Sequence, residues 1–257
     1  MPRPVLRLVL LALVITTLSP VRAVAQDAAA VIELAERDRA ARNPAAALAR
    51  YESALATAPT SYDLLWRASR EGIDLGEAAT GARRSEYFSK AEGYARRAVS
   101  ANAGGADGHF MLSVALGRTA QSVSARERVR YAAEVRSAAL AAVRIEPQHA
   151  GALHVLGVWN AEIMRLGSFT RFAARNFLGG KVFDQASWPE AIRYMEAAVA
   201  ADPGRITHRL DLAAIFADEG SKPRARSTCE TVLRMPVVEF NDARYKQQCE
   251  QIIARTR

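Results

Sequence analysis

The chain has 257 residues, half of them hydrophobic, with 35 Lys and Arg against 27 Asp and Glu and a formal net charge of +8. That length buries a sizeable core and fits one elongated domain or two small ones. Alanine and arginine, both strong helix formers, dominate, while Ile, Val, Thr and Tyr are too sparse for a sheet-rich protein, so the composition points to an all-α fold.

Residues 1–25 read as an export signal. Arg3 and Arg7 supply a positive start, residues 8–18 form an uncharged apolar run, and Ala23-Val24-Ala25 is a small-x-small cleavage site. Eleven uncharged residues fall short of the roughly 20 that a membrane-spanning helix needs, so at most peripheral membrane association is expected. The protein is therefore expected in the periplasm or secreted, with residues 26–257 as its folded domain. Removing the three leader arginines lowers the charge from +8 to +5. In successive blocks of the remaining chain the charges nearly balance, with Arg interleaved with Glu and Asp at helical spacing. That is the pattern of solvated helix faces, and it argues against a nucleic-acid partner.

A helical repeat follows. Leu34-Ala35 is the first mark, with Ala47, Tyr51 and Ala54 on the next helix, Asn43-Pro44 as the turn between them and Pro59 as the close. The same marks recur as Ala68-Ser69 with Ala98 and Ala103, then as Leu112-Ser113 with Ala142 and Pro147. They recur again as Leu156-Gly157 with Ala191, Met195, Ala198 and Pro203, and as Leu212-Ala213 with Pro236. From small residue to closing position the distances are 24, 34, 34, 46 and 23 residues. The first and last match a 34-residue tetratricopeptide unit, and the middle three carry about 10, 10 and 22 extra residues between helix A and helix B. The expected architecture is a tetratricopeptide-like superhelix of about five helix pairs. Its insertions should raise a rim along one edge, and the longest should hold an extra helix capped by Ser168 and stopped by Gly179-Gly180. Residues 241–255 are expected to form a capping helix over the open apolar end.

Several segments carry a family resemblance: Leu65-Trp66-Arg67-Ala68, Glu86-Tyr87-Phe88 with Ala91 and Ala95, His109, and Leu153-His154-Val155-Leu156-Gly157. The stretch from Ser168 through Phe177, Gly180 and Lys181, and Leu233-x-x-Pro236 followed by Asp242, continue it. In order and spacing they resemble the regulator of microtubule dynamics family, over roughly residues 60–255. The resemblance implies a helical scaffold with a ligand groove, in a family associated with microtubules, membrane contact sites and, in one branch, phospholipid binding. An export signal would separate this chain from cytosolic microtubules.

The tetratricopeptide register places Trp66, Arg70, Phe110, Val114, His154, Val158, Leu210 and Ala214 on the concave face. This apolar and aromatic stripe suits a greasy peptide, an acyl chain or a covering helix of the same chain. The insertion alternates Phe169, Phe172, Phe177 and Phe183 with Arg171, Arg175 and Lys181. It reads either as core Phe beside solvated Arg or as a basic, aromatic lid able to touch anionic head groups. Cys229 and Cys249 form a disulfide stapling the last two helices or remain two buried thiols; they are too few for a metal site. Each of the four histidines reads as structural. No nucleophile elbow, zinc-protease signature or phosphate loop occurs in the sequence, and no cofactor is expected. The expected function is capture of a protein or peptide in the groove, with binding or transfer of a lipid as the alternative.

Overall fold

In the computed structural model, residues 20–177 and 180–256 are described. Most of the leader (residues 1–19) and the expected helix stop at Gly179 lie outside the described residues. Among the described residues every regular element is helical. The helices pair as α1 (Pro20–Ala40) with α2 (Pro44–Leu55), α3 (Tyr62–Ala78) with α4 (Gly81–Ala101), and α5 (Ala106–Thr119) with α6 (Ala125–Ile145). Then come α7 (Ala150–Arg165), the extra helix α8 (Ser168–Phe177), α9 (Trp188–Ala201), the pair α10 (Ile206–Glu219) and α11 (Lys222–Arg234), and α12 (Asp242–Arg255). No described helix is long and apolar enough to cross a membrane.

Local sequence explains the punctuation. The Asn43 side chain accepts the Ala46 N–H and Pro44 opens α2 as its first residue. Ser124 and Glu127 form a reciprocal capping box at the start of α6. Gly220, at a φ of 103°, ends α10 in the left-handed conformation that glycine adopts without steric penalty.

The small residues sit where the helices cross. Ala35, Ala47, Ala68, Ser69, Ala98, Ser113, Ala142, Ala191, Ala198 and Ala213 are all fully buried. Ser69 also donates its hydroxyl to the Ala91 carbonyl at 2.8 Å, tying α3 to α4. The extra residues are disposed differently from the expected loops. In repeats two and three they lengthen the helices: α4 and α6 run 21 residues against 12 in α2. Each added residue of helix makes a backbone hydrogen bond that a loop would leave to water, so extension is the more economical use of the chain. Only the longest insertion forms a separate element, α8 followed by a 3-10 turn over Lys181–Gln185. Ala174 and Phe183 anchor it against Trp159 and Ile163.

Candidate functional site

The concave face is built from A helices, and its character differs from the expected apolar stripe. On α3, Glu71, Asp74 and Glu77 recur every three residues and so share one face. Glu71 is fully buried. Arg39 of α1 donates to Glu71 at 2.9 Å, to Asp74 at 2.6 Å and to Glu239 at 2.5 Å. Arg70 bridges Glu71 and Glu36 at 2.8 and 2.6 Å. Burial pushes the Glu71 and Asp74 carboxyls upward while the Arg39 charge opposes it. Arg39 loses solvation too, but its three carboxylate partners outweigh that and hold it charged.

The second departure is what covers this face. The covering element is the C-terminal one and not the insertions. Glu239 accepts from both Arg39 and Arg205, bridging the first and last repeats. Asn241 donates to the Asp74 carbonyl at 3.2 Å. Arg244 donates to the Glu77 carbonyl and carboxylate at 2.6 and 2.7 Å, and the Tyr245 hydroxyl donates to the same carboxylate at 2.5 Å. Arg118 of α5 completes the ring around Glu77. Buried Asp242 holds the turn into α12 by accepting the Val238 and Glu239 N–H groups at 2.9 and 2.7 Å. The capping helix thus covers the end of the stack and also straps the superhelix closed across about 167 residues of sequence.

A cavity of about 250 Å³ lies beside α12. Arg84, Arg118, Arg165 and Arg244 line it together with Glu77, Glu162 and Asp211. Val158, Leu210 and Ile215 give it a small apolar floor. Glu77 is shared by Arg118 and Arg244, and Arg165 pairs with Glu162 and Asp218. Arg84 donates to the Gln121 side-chain amide oxygen at 3.3 Å and lies over the Phe88 ring, 5.4 Å from its centroid, with no carboxylate partner among the described residues. The Nε groups of Arg118 and Arg244 are buried without an acceptor.

Val158 and Leu210 are therefore the stripe residues that reach the cavity. Trp66 is half-buried beneath Arg67 and Arg70, whose guanidinium carbons lie 4.0 and 5.4 Å from its ring. Phe110 packs on His149, with ring centroids 4.8 Å apart, and closes over Gly151, where a Cβ would come within 2.4 Å of its ring. Val114 joins the core between repeats two and three, and Ala214 joins the core of the last repeat. His154 Nε2 lies 2.7 Å from Asp211 Oδ2. In the insertion, Arg171 donates to the Met164 and Leu166 carbonyls and Arg175 pairs with Asp184 at 3.3 Å. Phe169 and Phe172 stand 82% and 58% exposed, and no α8 residue lines the cavity. Cys229 and Cys249 are free, fully buried thiols facing each other between α11 and α12. Their mutual hydrogen bond lowers the Cys229 thiol and, with burial, raises that of Cys249. The helical register is legible in the sequence, but it passes over the acidic triplet one turn further along α3. The i, i+3, i+6 spacing of that triplet is the signal that could have found it.

His208 stacks 4.9 Å from His154 and is 4% exposed. Burial, then the neighbouring His154 and Arg205 charges, push it down to about 3, and Asp211 opposes this only weakly. A base whose folded value lies below its unfolded 6.5 stays neutral in the fold while the unfolded chain takes up a proton. Stability should therefore fall by about 1.4 kcal/mol per pH unit between those two values from this residue. Chemical denaturation of His208→Gln against wild type across that window should show a shallower acid slope in the variant; parallel slopes would remove His208 from the account.

A family model matches most of this chain. The model for regulator of microtubule dynamics proteins 1-3 covers residues 30–257. The chain belongs to this family. No curated protein matches the chain. Among solved structures, this family member is similar to TTC0263, a thermophilic TPR protein in Thermus thermophilus. The two share 18% identity at a TM-score of 0.64, over 88% of this chain and 98% of that one, which establishes a tetratricopeptide-type fold. MamA, at 13% identity and a TM-score of 0.43 over 86% and 95% of the two chains, is a looser likeness. So is YrrB, described as a TPR protein with an unusual peptide-binding site, at 14% and 0.43 over 90% and 95%.

Proposed function

We propose that this family member is an exported, non-catalytic scaffold that captures an acidic peptide segment of a partner protein. The observation that carries the reading is the cavity beside α12, where four arginines converge. Arg84, with no carboxylate partner, is the group best placed to accept one from outside. An acyl chain would have to strip water from those arginines and gain only a small apolar floor, so the lining favours a peptide over a lipid.

Fluorescence polarisation with labelled peptides tests this. An Asp- and Glu-rich peptide should bind, and a Lys-rich one should not. Arg84→Glu should weaken the acidic peptide by about tenfold or more, the scale of a hydrogen bond to a charged group. Arg234→Glu, on the exposed end of α11, should change nothing. Equal affinity of wild type and Arg84→Glu, or no binding of acidic peptides at all, would overturn the reading.

A further inference from the structure

The turns from helix A to helix B all lie along one edge of the superhelix, because the ends of successive A helices abut. Arg39 meets Asp74, Arg165 meets Asp218, and Arg84 meets Gln121 across neighbouring turns. The Trp159 indole reaches the Ala132 carbonyl at 2.8 Å and so ties the fourth turn to the third. Bases outnumber acids at four of the five turns, while the fifth balances Lys222 and Arg224 against Asp218 and Glu219. The first turn carries Arg42 and the second Arg83 and Arg84, with no acid between residues 79 and 84. The third sets Arg126, Arg128 and Arg130 against Glu127 alone, and Glu127 is engaged in the capping box. The fourth sets Arg171, Arg175 and Lys181 against Asp184. The opposite edge, where helix B turns into the next helix A, carries Asp63, Asp107, Glu146 and Asp202 with fewer bases.

In the fourth turn of this edge stands α8. It turns Ala174 into the core and leaves Phe169 and Phe172 at 82% and 58% exposure. Two phenylalanine rings held in water, flanked by arginines, have the makeup of an interfacial helix: apolar rings for the acyl boundary and cations for phosphate head groups. Phe169 and Phe172, three residues apart on one short helix, share a face, so both rings can enter the surface of a bilayer together. We propose that the A–B edge, with α8 as its apolar anchor, is a peripheral docking surface for an anionic phospholipid bilayer. Docked this way, the protein would hold its cavity to one side of the membrane plane. Arg84 belongs to both surfaces, but Phe169, Phe172, Arg126 and Arg128 form no part of the cavity wall, so substitutions there separate bilayer docking from peptide capture.

Vesicle flotation of the whole purified protein tests it, with vesicles of phosphatidylcholine alone and of phosphatidylcholine mixed with phosphatidylglycerol. The protein should float with the mixed vesicles only, and high salt should release it. Phe169→Asp with Phe172→Asp should lower flotation at least tenfold. Arg126→Glu with Arg128→Glu should do the same, because each charge near an anionic surface is worth about fivefold in partition. Both pairs are exposed, so thermal melts should match wild type, and Arg144→Glu on the opposite edge should float normally. Several results would overturn the proposal: no flotation with mixed vesicles, flotation indifferent to the Phe pair, or binding of single-stranded RNA in place of vesicles. Light scattering that shows a dimer abolished by the Phe pair, without vesicle binding, would also do so by assigning the rings to a second copy.

Discussion

Arg39→Ala should destabilise the protein by about 3–5 kcal/mol, the cost of removing one partner from a buried ion network. Arg39 is 11% exposed, and its removal strands Glu71, which is fully buried, together with Asp74 and part of the charge on Glu239. In a chain of this size that corresponds to a fall of roughly 10 °C in Tm. Two further readouts separate this mechanism from simple loss of packing. The first is pH. Burial already raises Glu71 and Asp74 above their ordinary values, and Arg39 is what opposes it. Without Arg39 their folded values rise further, and the penalty of holding them ionised is present above those values and disappears as pH falls through them. The gap between variant and wild type should therefore narrow in acid. A gap that stays constant with pH would show that stranded carboxylates are not the cause. The second is hydrogen exchange: protection of residues 238–250 should drop, because Glu239 is one of the fasteners of the strap.

Gly157→Leu should cost about 3 kcal/mol, at the upper end of overpacking penalties. A Cβ at this position would lie 2.5 and 2.6 Å from Met195 Cγ and Sδ and 3.1 Å from the Ala191 carbonyl oxygen. Met195 is fully buried, so its side chain has little free space to swing into, and the Ala191 backbone cannot yield without moving α9. Gly157→Ala should already cost part of this, since its Cβ meets the same Met195 and Ala191 atoms, with about 1 kcal/mol of helix propensity over glycine offsetting it. Met195→Ala should rescue Gly157→Leu, giving a coupling well above the roughly 0.5 kcal/mol scatter of independent sites. Additive melts would mean that α7 and α9 do not cross at this residue.

Those two positions differ in how visible they are along the chain. Gly157 is marked by the repeat itself: a small residue after Leu156, with Ala191 and Met195 at the spacing of a facing helix. The same reading places Ala54 at a crossing, where the structure leaves it half-buried beside fully buried Ala47 and Tyr51. Arg39 carries no such mark. It lies near the end of an ordinary amphipathic helix and resembles any solvated arginine until Glu71, Asp74 and Glu239 are brought around it. The candidate groove fares likewise. The helical register puts Arg70, His154, Val158 and Leu210 on or near the concave side, but register says nothing about which of these are consumed by partners from other repeats.

What the sequence determined by itself is everything local in origin. Periodicity, caps, small residues at crossings and uneven spacing define the five pairs, the extra helix beginning at Ser168 and the closing helix at 242–255, because each depends on residues within one or two turns of one another. Tertiary structure alone decided the strap, the buried charge network and the predominantly basic edge. Arg39 and Glu239 are 200 residues apart, and Glu77 meets Arg244 across 167. Bases that are balanced block by block along the chain gather on one edge only because a superhelix stacks like turns above like turns. Such contacts depend on the accumulated rotation of five successive repeats, a property of the stack that no window of sequence contains.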